Sequence, residues 1–431
     1  MRKRVLLAAL VLTVMASLVS GTAAAKKTQM RVVSWAGAEE LAMDSQVLAE
    51  FMKNNPDVEV SLEAVSENYF QKVLTDIAAG DPPDVMLLDA EDVPFLTSEG
   101  ALLNLTPVAA RMKDVPGADL NVYFPNVLKV FTVDKAVYAF PKDFTPIVMY
   151  YNKGLFDSMG VAYPPKDGWD WNQFIDTAKK LSRDTNGDGK TDVWGYRFLA
   201  WVGVVKPWIW AAGGDIMNPE RTKTAGYING DAAVKTVTFM TGIEKAGYSP
   251  SSVVQEAFGG GGAMFYTGKI AMANSGHWWL PSIKDQIAKG AKLNIGITRI
   301  PHAPGAKNAT VLYASGWAVP KNVKNQRLAV ELASWLSSPY AQKVRCAQGL
   351  AISANKQVAE EVAKTDPVEA MFFDIVPDGR PSLGAETRHY RPLIEDTMDE
   401  ALQKIILGGT SVKDALNWAA KTIDDEIAKR K

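Results

Sequence analysis

The sequence predicts an α/β fold in two domains, and three observations carry that prediction. At 431 residues the chain is too long for one ordinary hydrophobic core, so two domains are expected. Its apolar fraction of 47% and charged fraction of 22% are those of a packed globular chain, not a disordered one. Strand-like and helix-like segments alternate near the start, as in a largely parallel sheet covered by helices.

Met30 to Trp35 is an apolar strand that ends at Ala36-Gly37. From Ala38 to Asn54, Leu41, Val47, Leu48, Phe51 and Met52 recur at helical spacings, and Asn54-Asn55-Pro56 stops the helix. Val58 to Ala64 alternates apolar and polar residues as a strand does. Tyr69 to Ala79 sets Phe70, Val73, Leu74 and Ile77 on one helical face and ends at Gly80-Asp81-Pro82-Pro83. Asp84 to Asp89 is a buried strand that closes on a carboxylate. In open sheets of this kind ligands bind outside the carboxyl ends of the strands. That rule singles out Trp35 and Asp89, although Asp89 equally suits the N-cap of a following helix. Val137 to Phe140 and Thr145 to Asn152, separated by Pro141-Lys142-Asp143-Phe144, read as a chain crossing between domains. Asp170 and Gln173 form a capping box at the start of a later helix, and Ser411 with Asp414 repeats the pattern in the tail.

At the N-terminus, Arg2-Lys3-Arg4 precedes an apolar run from Val5 to Val19 and the small residues Gly21-Thr22-Ala23-Ala24-Ala25. This is the layout of a signal peptide, residues 1–25, cut after Ala25. The expected product is exported and soluble, in the periplasm or another extracytoplasmic space. The sole cysteine, Cys346, makes no internal disulfide. A second apolar run, Phe198 to Gly214, carries Lys206 and Pro207 at its centre, which a membrane span would not tolerate without protein partners; it reads as soluble and tryptophan-lined. With 47 basic against 48 acidic residues there is no global field to draw in nucleic acid. The three histidines are scattered, which argues against a histidine-rich metal site. No serine or cysteine nucleophile motif is present, and nothing marks the carboxylate pair that a glycosidase needs. No catalysis is expected and no cofactor is required.

Two motifs invite metals. Asp184, Asn186, Asp188, Lys190 and Asp192 follow the donor spacing of a calcium loop, with Gly189 at the sharp turn. The bidentate Glu at the twelfth position is missing, for that position is Gly195. The alternatives are a structural calcium and a metal-free Asp/Asn/Gly turn. Tyr150-Tyr151 resembles paired-tyrosine iron sites, but its setting reads as a buried strand end.

The stretch Gly268 to Pro281 is the most suggestive. A short strand, Ile270 to Ala273, runs through Ser275 and Gly276 into His277-Trp278-Trp279. A small residue lets a ligand approach the backbone, and an indole beyond it offers a flat apolar face with a polar edge. Successive side chains in a strand point to opposite sides, so Trp278 is expected in the open and Trp279 packed. Trp35, Trp201, Trp208, Trp210, Trp278, Trp279 and Trp317 lie at strand ends or in loops, whereas Trp335 and Trp418 read as helix core. For Trp201, Trp208 and Trp210, packing within the second domain is the competing reading. With Asp89, Asp143 and His277 as hydrogen-bonding partners, the set suits a ligand with apolar C–H faces and many hydroxyls, namely a carbohydrate.

These residues resemble bacterial extracellular solute-binding proteins of the maltose-binding-like family, the receptors of ABC importers for sugars. The resemblance is carried by Gly80-Asp81-Pro82-Pro83-Asp84-Val85 leading to Asp89, Ala139-Phe140-Pro141 through Tyr151-Asn152-Lys153, Gly268-Lys269-Ile270-Ala271-Met272 through Trp278, and Ser315-Gly316-Trp317-Ala318-Val319-Pro320 followed by the helix from Gln326 to Leu336. It implies a two-domain periplasmic-binding-protein fold with discontinuous domains, an interdomain cleft and a hinge. The implied division is 26–140 with 314–352 for the N-terminal domain and 141–313 with 353–431 for the C-terminal domain. Implied ligand positions are Trp35, Asp89, Asp143, Ser275, Gly276, His277, Trp278 and Trp317; Trp201, Trp208 and Trp210 are added from composition. The implied partners are a small-molecule carbohydrate and the membrane permease subunits of an ABC transporter, with the receptor a monomer. The alternatives are a receptor for a polyol, polyamine or phosphorylated solute, and a secreted carbohydrate-active enzyme.

Overall fold

The computed structural model describes residues 27–65, 67–382 and 390–429. The expected signal peptide lies outside the described residues. The first strand, Thr28–Ser34, pairs in parallel with Val58–Ala64 and with Val85–Asp89. Val32, Val33 and the whole run Val85 to Leu88 are fully buried, as strands are when helices cover both faces. The helix Ala38–Asn54 lays Met43, Val47, Leu48 and Phe51 inward, on the spacing seen in the sequence.

The sheet is mixed rather than largely parallel. Val85–Asp89 pairs antiparallel with Thr310–Ala318, which pairs antiparallel with Ala139–Pro146, which in turn receives Ile352–Ser353. The reason is connectivity: these later strands enter from the second domain, or lead into it, and so run against the first three. Thr310–Ala318 and Ala139–Pro146 lie side by side and span both domains, Thr310 Oγ1 donating to the Ile147 carbonyl at 2.6 Å. They are the crossing segments of the hinge.

The second domain is built on an antiparallel sheet of Met272–Ser275, Val148–Asn152 and Ile295–Thr298. Its helices pack over Phe174, Tyr196, Trp208, Leu402 and Leu416. Asp170 caps the helix Trp171–Leu181 in a complete capping box with Gln173. The tail helices Asp396–Ile406 and Val412–Lys429 return to this second core. Among the described residues no helix is long and apolar enough to cross a membrane.

The apolar run after Phe198 contains the helix Val202–Trp210, in which every residue is buried. Pro207 inside it has no N–H, so the carbonyl four residues back loses its donor. That carbonyl, on Gly203, accepts instead from the Tyr313 hydroxyl at 3.0 Å. At the start of the helix Asp399 Oδ1 accepts from the Val202 N–H at 2.6 Å. Burial pushes the Asp399 carboxyl up to about 7, helped by Glu395 and Asp396.

Candidate ligand-binding cleft

A cleft of about 160 Å³ opens where the two domains meet at the crossing strands. Trp35, Glu40, Asp89, Leu350 and Ala351 come to it from the first domain; Lys142, Asp143, Thr145, Tyr313, Ala314 and Ser315 come from the crossing strands, and Trp278 from the second domain.

The first-domain wall follows from strand ends. Tyr69 ties two of them together, its hydroxyl reaching the carbonyls of Leu87 at 2.6 Å and Val33 at 3.0 Å. Trp35 stands edge-on to that ring, 5.2 Å between centroids. Asp89 ends its strand directly opposite Ser315, so both side chains reach the rim.

The crossing strand contributes through an irregularity. Its register slips at one point, Ser315 facing Asp143 while Gly316 faces Pro141, which leaves Lys142 as the extra residue. A bulge of this kind re-aims side chains, and here Lys142 and Asp143 both line the cleft. Lys142 donates to Asp143 Oδ2 at 2.6 Å, and its Nζ lies 2.7 Å from Glu40 Oε1 in an ion pair. Ser315 Oγ donates to the other Asp143 oxygen at 2.6 Å. Burial alone would depress the Lys142 ammonium, but Asp143 and Glu40 outweigh it and hold its pKa above the ordinary lysine value.

The second-domain wall is aromatic. Trp278 is 40% exposed, whereas Trp279 is 9% exposed and packs against Tyr150 and Phe265 at 5.1 and 4.8 Å. The segment is not a strand. His277–Trp279 is a single 3₁₀ turn leading into the helix Leu280–Ala288, with Pro281 in its first turn. Three residues per turn still separate neighbouring side chains, so the two indoles diverge as the strand reading had them, for a different reason. Gly276 matters here because a Cβ would meet the Trp278 ring at 2.3 Å. Trp278 stands edge-on to Tyr313 at 6.1 Å, and Trp201 stacks on the same tyrosine at 6.0 Å. Trp201 is therefore behind the wall, with its Nε1–H donating to Glu395 at 2.8 Å.

Of the positions singled out in the sequence, Trp35, Asp89, Asp143 and Trp278 converge on the cleft. Ser275 and Gly276 lie on the strand and turn that carry Trp278 there. His277 is not in the cleft: it is fully buried beneath it, its Nε2 2.7 Å from Glu369 and its backbone N–H on Thr145 Oγ1. Trp317 is fully buried too, because it sits two residues deeper along its strand than Ser315, opposite Leu87. Trp208 is in the second core and donates to Asn274. Trp210 is buried between Lys206 and Arg380, whose cationic groups stand 5.8 and 4.6 Å from its ring. Glu40, Lys142, Thr145, Tyr313 and Ser315 were not singled out as ligand positions; only the Pro141-to-Phe144 gap between strand segments hinted at Lys142.

A second buried lysine bridges the domains. Lys206 Nζ lies 3.2 Å from Glu91 Oε1, donates to Ser382 Oγ at 3.0 Å, and stands 5.0 Å over the Tyr313 ring. Glu91 follows the third strand of the first domain, whereas Lys206 belongs to the second.

The loop 184–192 is exposed and closed on itself. Asp184 accepts from the N–H groups of Gly187 and Gly189, and Asp192 from those of Thr185 and Asn186. Among the described residues no group of three or more His, Cys, Asp or Glu side chains is arranged to hold a metal ion. Burial pushes the Cys346 thiol up to about 12, which makes it a poor nucleophile.

Comparison with known proteins matches residues 37–343 to the family model described as bacterial extracellular solute-binding protein. The galactooligosaccharide-binding protein of Bacillus subtilis is 26% identical over 95% of this chain and 92% of its own. A maltooligosaccharide ABC transporter solute-binding lipoprotein of Streptococcus pneumoniae is 27% identical over 66% of this chain and 63% of its own. Among solved structures, an ABC substrate-binding protein of Listeria monocytogenes in complex with cycloalternan superposes with a TM-score of 0.81 at 25% identity, covering 94% of this chain and 99% of that one. The maltodextrin-binding domain of Bdellovibrio bacteriovorus bound to maltotriose shares the fold at a TM-score of 0.78 and 21% identity, covering 93% of this chain and 100% of that one.

Proposed function

We propose that this chain, which belongs to the bacterial extracellular solute-binding protein family, is an extracytoplasmic receptor that captures a carbohydrate between its domains and delivers it to an ABC import permease. The observation that carries this reading is the gathering of two aromatic faces, Trp278 and Tyr313, with Asp89, Asp143 and Ser315 around one cleft. Aromatic faces suit the C–H surface of a sugar ring, and carboxylates and hydroxyls suit its O–H groups. The names of the relatives, which bind galacto- and maltooligosaccharides, point the same way.

Capture works by closure. Two adjacent crossing strands form a hinge, so rotation about them opens and shuts the cleft without unfolding either core. A buried sugar hydroxyl left unpaired is costly, so the closed state is favoured when the ligand's hydroxyls meet their partners on both walls. Closure also fixes the relative position of the two domain surfaces, and that is the feature a permease reads. The cycle needs binding and release only, with no catalysis.

A thermal-shift screen against mono- and oligosaccharides tests the reading, since a ligand at a hundred times its Kd stabilises the folded state by about 2.7 kcal/mol. Galacto- or maltooligosaccharides are expected to raise the melting temperature. A shift with a polyamine or phosphorylated solute and none with any carbohydrate would replace it, and turnover of an oligosaccharide would show an enzyme.

A further inference from the structure

We infer that the cleft selects an uncharged or amine-bearing saccharide and rejects the uronate and phosphate forms of the same sugar. The inference rests on the carbohydrate reading above and adds the ligand's charge to it.

Among the described residues that line the cleft, Lys142 alone carries a positive charge. A buried lysine in a binding cleft is ordinarily a candidate anchor for a carboxylate or phosphate. Here it is already committed. The bulge sets its ammonium between two carboxylates, 2.6 Å from Asp143 and 2.7 Å from Glu40, and its side chain is 3% exposed. Two negative groups around one positive group leave a surplus of one negative charge.

Hydrogen-bonding capacity points the same way. An ionised carboxylate accepts only, with about four lone-pair sites, and Asp143 spends two of them on Lys142 and Ser315. Glu40 Oε1 is buried against the Lys142 ammonium, 2.7 Å away, and so neutralises it together with Asp143. The wall therefore offers acceptors. A ligand that donates from hydroxyl or amine groups forms charge-assisted hydrogen bonds to it. A ligand carboxylate or phosphate would lose its water and meet like charge. At about 5 Å and an effective dielectric near 20, repulsion from one uncompensated charge weakens binding by roughly two- to three-hundredfold before screening by salt. The other buried lysine, Lys206, is turned toward Glu91 and Ser382 and lies behind Tyr313.

The test is calorimetric titration at pH 7 with galacto-, malto- and gluco-disaccharides, each beside its uronate, 6-phosphate and 2-amino counterparts. The expected result is that at least one neutral disaccharide binds, its 2-amino form binds comparably or more tightly, and its uronate and phosphate are at least about tenfold weaker. Asp143→Asn, which keeps the side-chain shape, is expected to narrow the neutral-to-uronate ratio several-fold. Glu40→Gln serves the same purpose if Asp143→Asn does not fold, as judged by circular dichroism. A uronate or phosphate that binds as tightly as its neutral partner overturns the inference and leaves the carbohydrate reading standing. Failure of every sugar, charged or neutral, overturns both.

Discussion

Two lysines are buried at the domain boundary, and they are held in opposite ways. Lys142 finds Glu40 and Asp143 in the first domain and on the crossing strand attached to it, so its cluster exists whether the cleft is open or shut. Lys206 belongs to the second domain and reaches Glu91 of the first, so its ion pair exists only when the domains meet. Both ammonium groups are almost wholly shielded from water, at 3% and 0% exposure. The first lies in the floor of the cleft; the second ties one domain to the other. Burial of a charge thus says little about its role until the domain origin of its partners is known.

Lys142→Met should have the largest effect, because it leaves two carboxylates facing one another without their cation. Removing one partner from a buried ionic cluster costs about 3–5 kcal/mol, and the loss should appear in urea unfolding without any ligand. A variant as stable as the parent would mean that the cluster is not preformed. Lys206→Met should behave differently. When the cleft opens, Glu91 regains water, so unfolding in the absence of ligand should change little while ligand dissociation accelerates by roughly tenfold or more. Stopped-flow dissociation rates separate the cases; equal effects of both substitutions on ligand-free stability would break the comparison.

The neighbouring indoles sharpen it further. Trp278→Ala is expected to weaken carbohydrate binding by about 2 kcal/mol or more with little effect on melting, whereas Trp279→Ala should destabilise the fold by about 3–5 kcal/mol through the cavity it leaves. Titration and denaturation of the two variants side by side check this. A pH-dependent effect concerns Asp399, which holds the start of the helix that carries Lys206. Its folded pKa is about 7, raised from the ordinary carboxylate value, so the folded state binds a proton more tightly than the unfolded one. Its contribution is favourable at low pH and is lost as pH rises from about 4 toward 7. Asp399→Asn keeps the acceptor for Val202 and should melt higher than the parent at pH 8, with the difference vanishing at pH 4. A parent that melts higher than the variant at pH 8 would contradict the assignment.

How much of this was legible in the sequence depended on whether the signal was local. The strand and helix alternation through Asp89 was readable because periodicity follows from which faces are buried, and the structure places those elements within one or two residues of the expected ends. Trp35, Asp89, Asp143 and Trp278 were reachable because strand ends and small-residue loops are where clefts open. Lys142 was not, since a one-residue slip in pairing leaves no trace in the pattern of one strand. Tyr313 was out of reach as a wall residue for a similar reason: its hydroxyl is held by a carbonyl freed by Pro207, more than a hundred residues away in the chain. His277 and Trp317 fall on motifs shared with the family and Trp208 in a tryptophan-rich run, and each is buried with packing partners that only the tertiary fold supplies.

The central claim is that the domains close on a carbohydrate. Small-angle scattering of the protein with and without the oligosaccharide that most raises its melting temperature tests this most directly. The radius of gyration should fall on saturation in the parent, and fall less at equal saturation in Lys206→Met. A saturated complex whose radius of gyration matches that of the ligand-free protein, with Lys206→Met indistinguishable from the parent, would contradict the account.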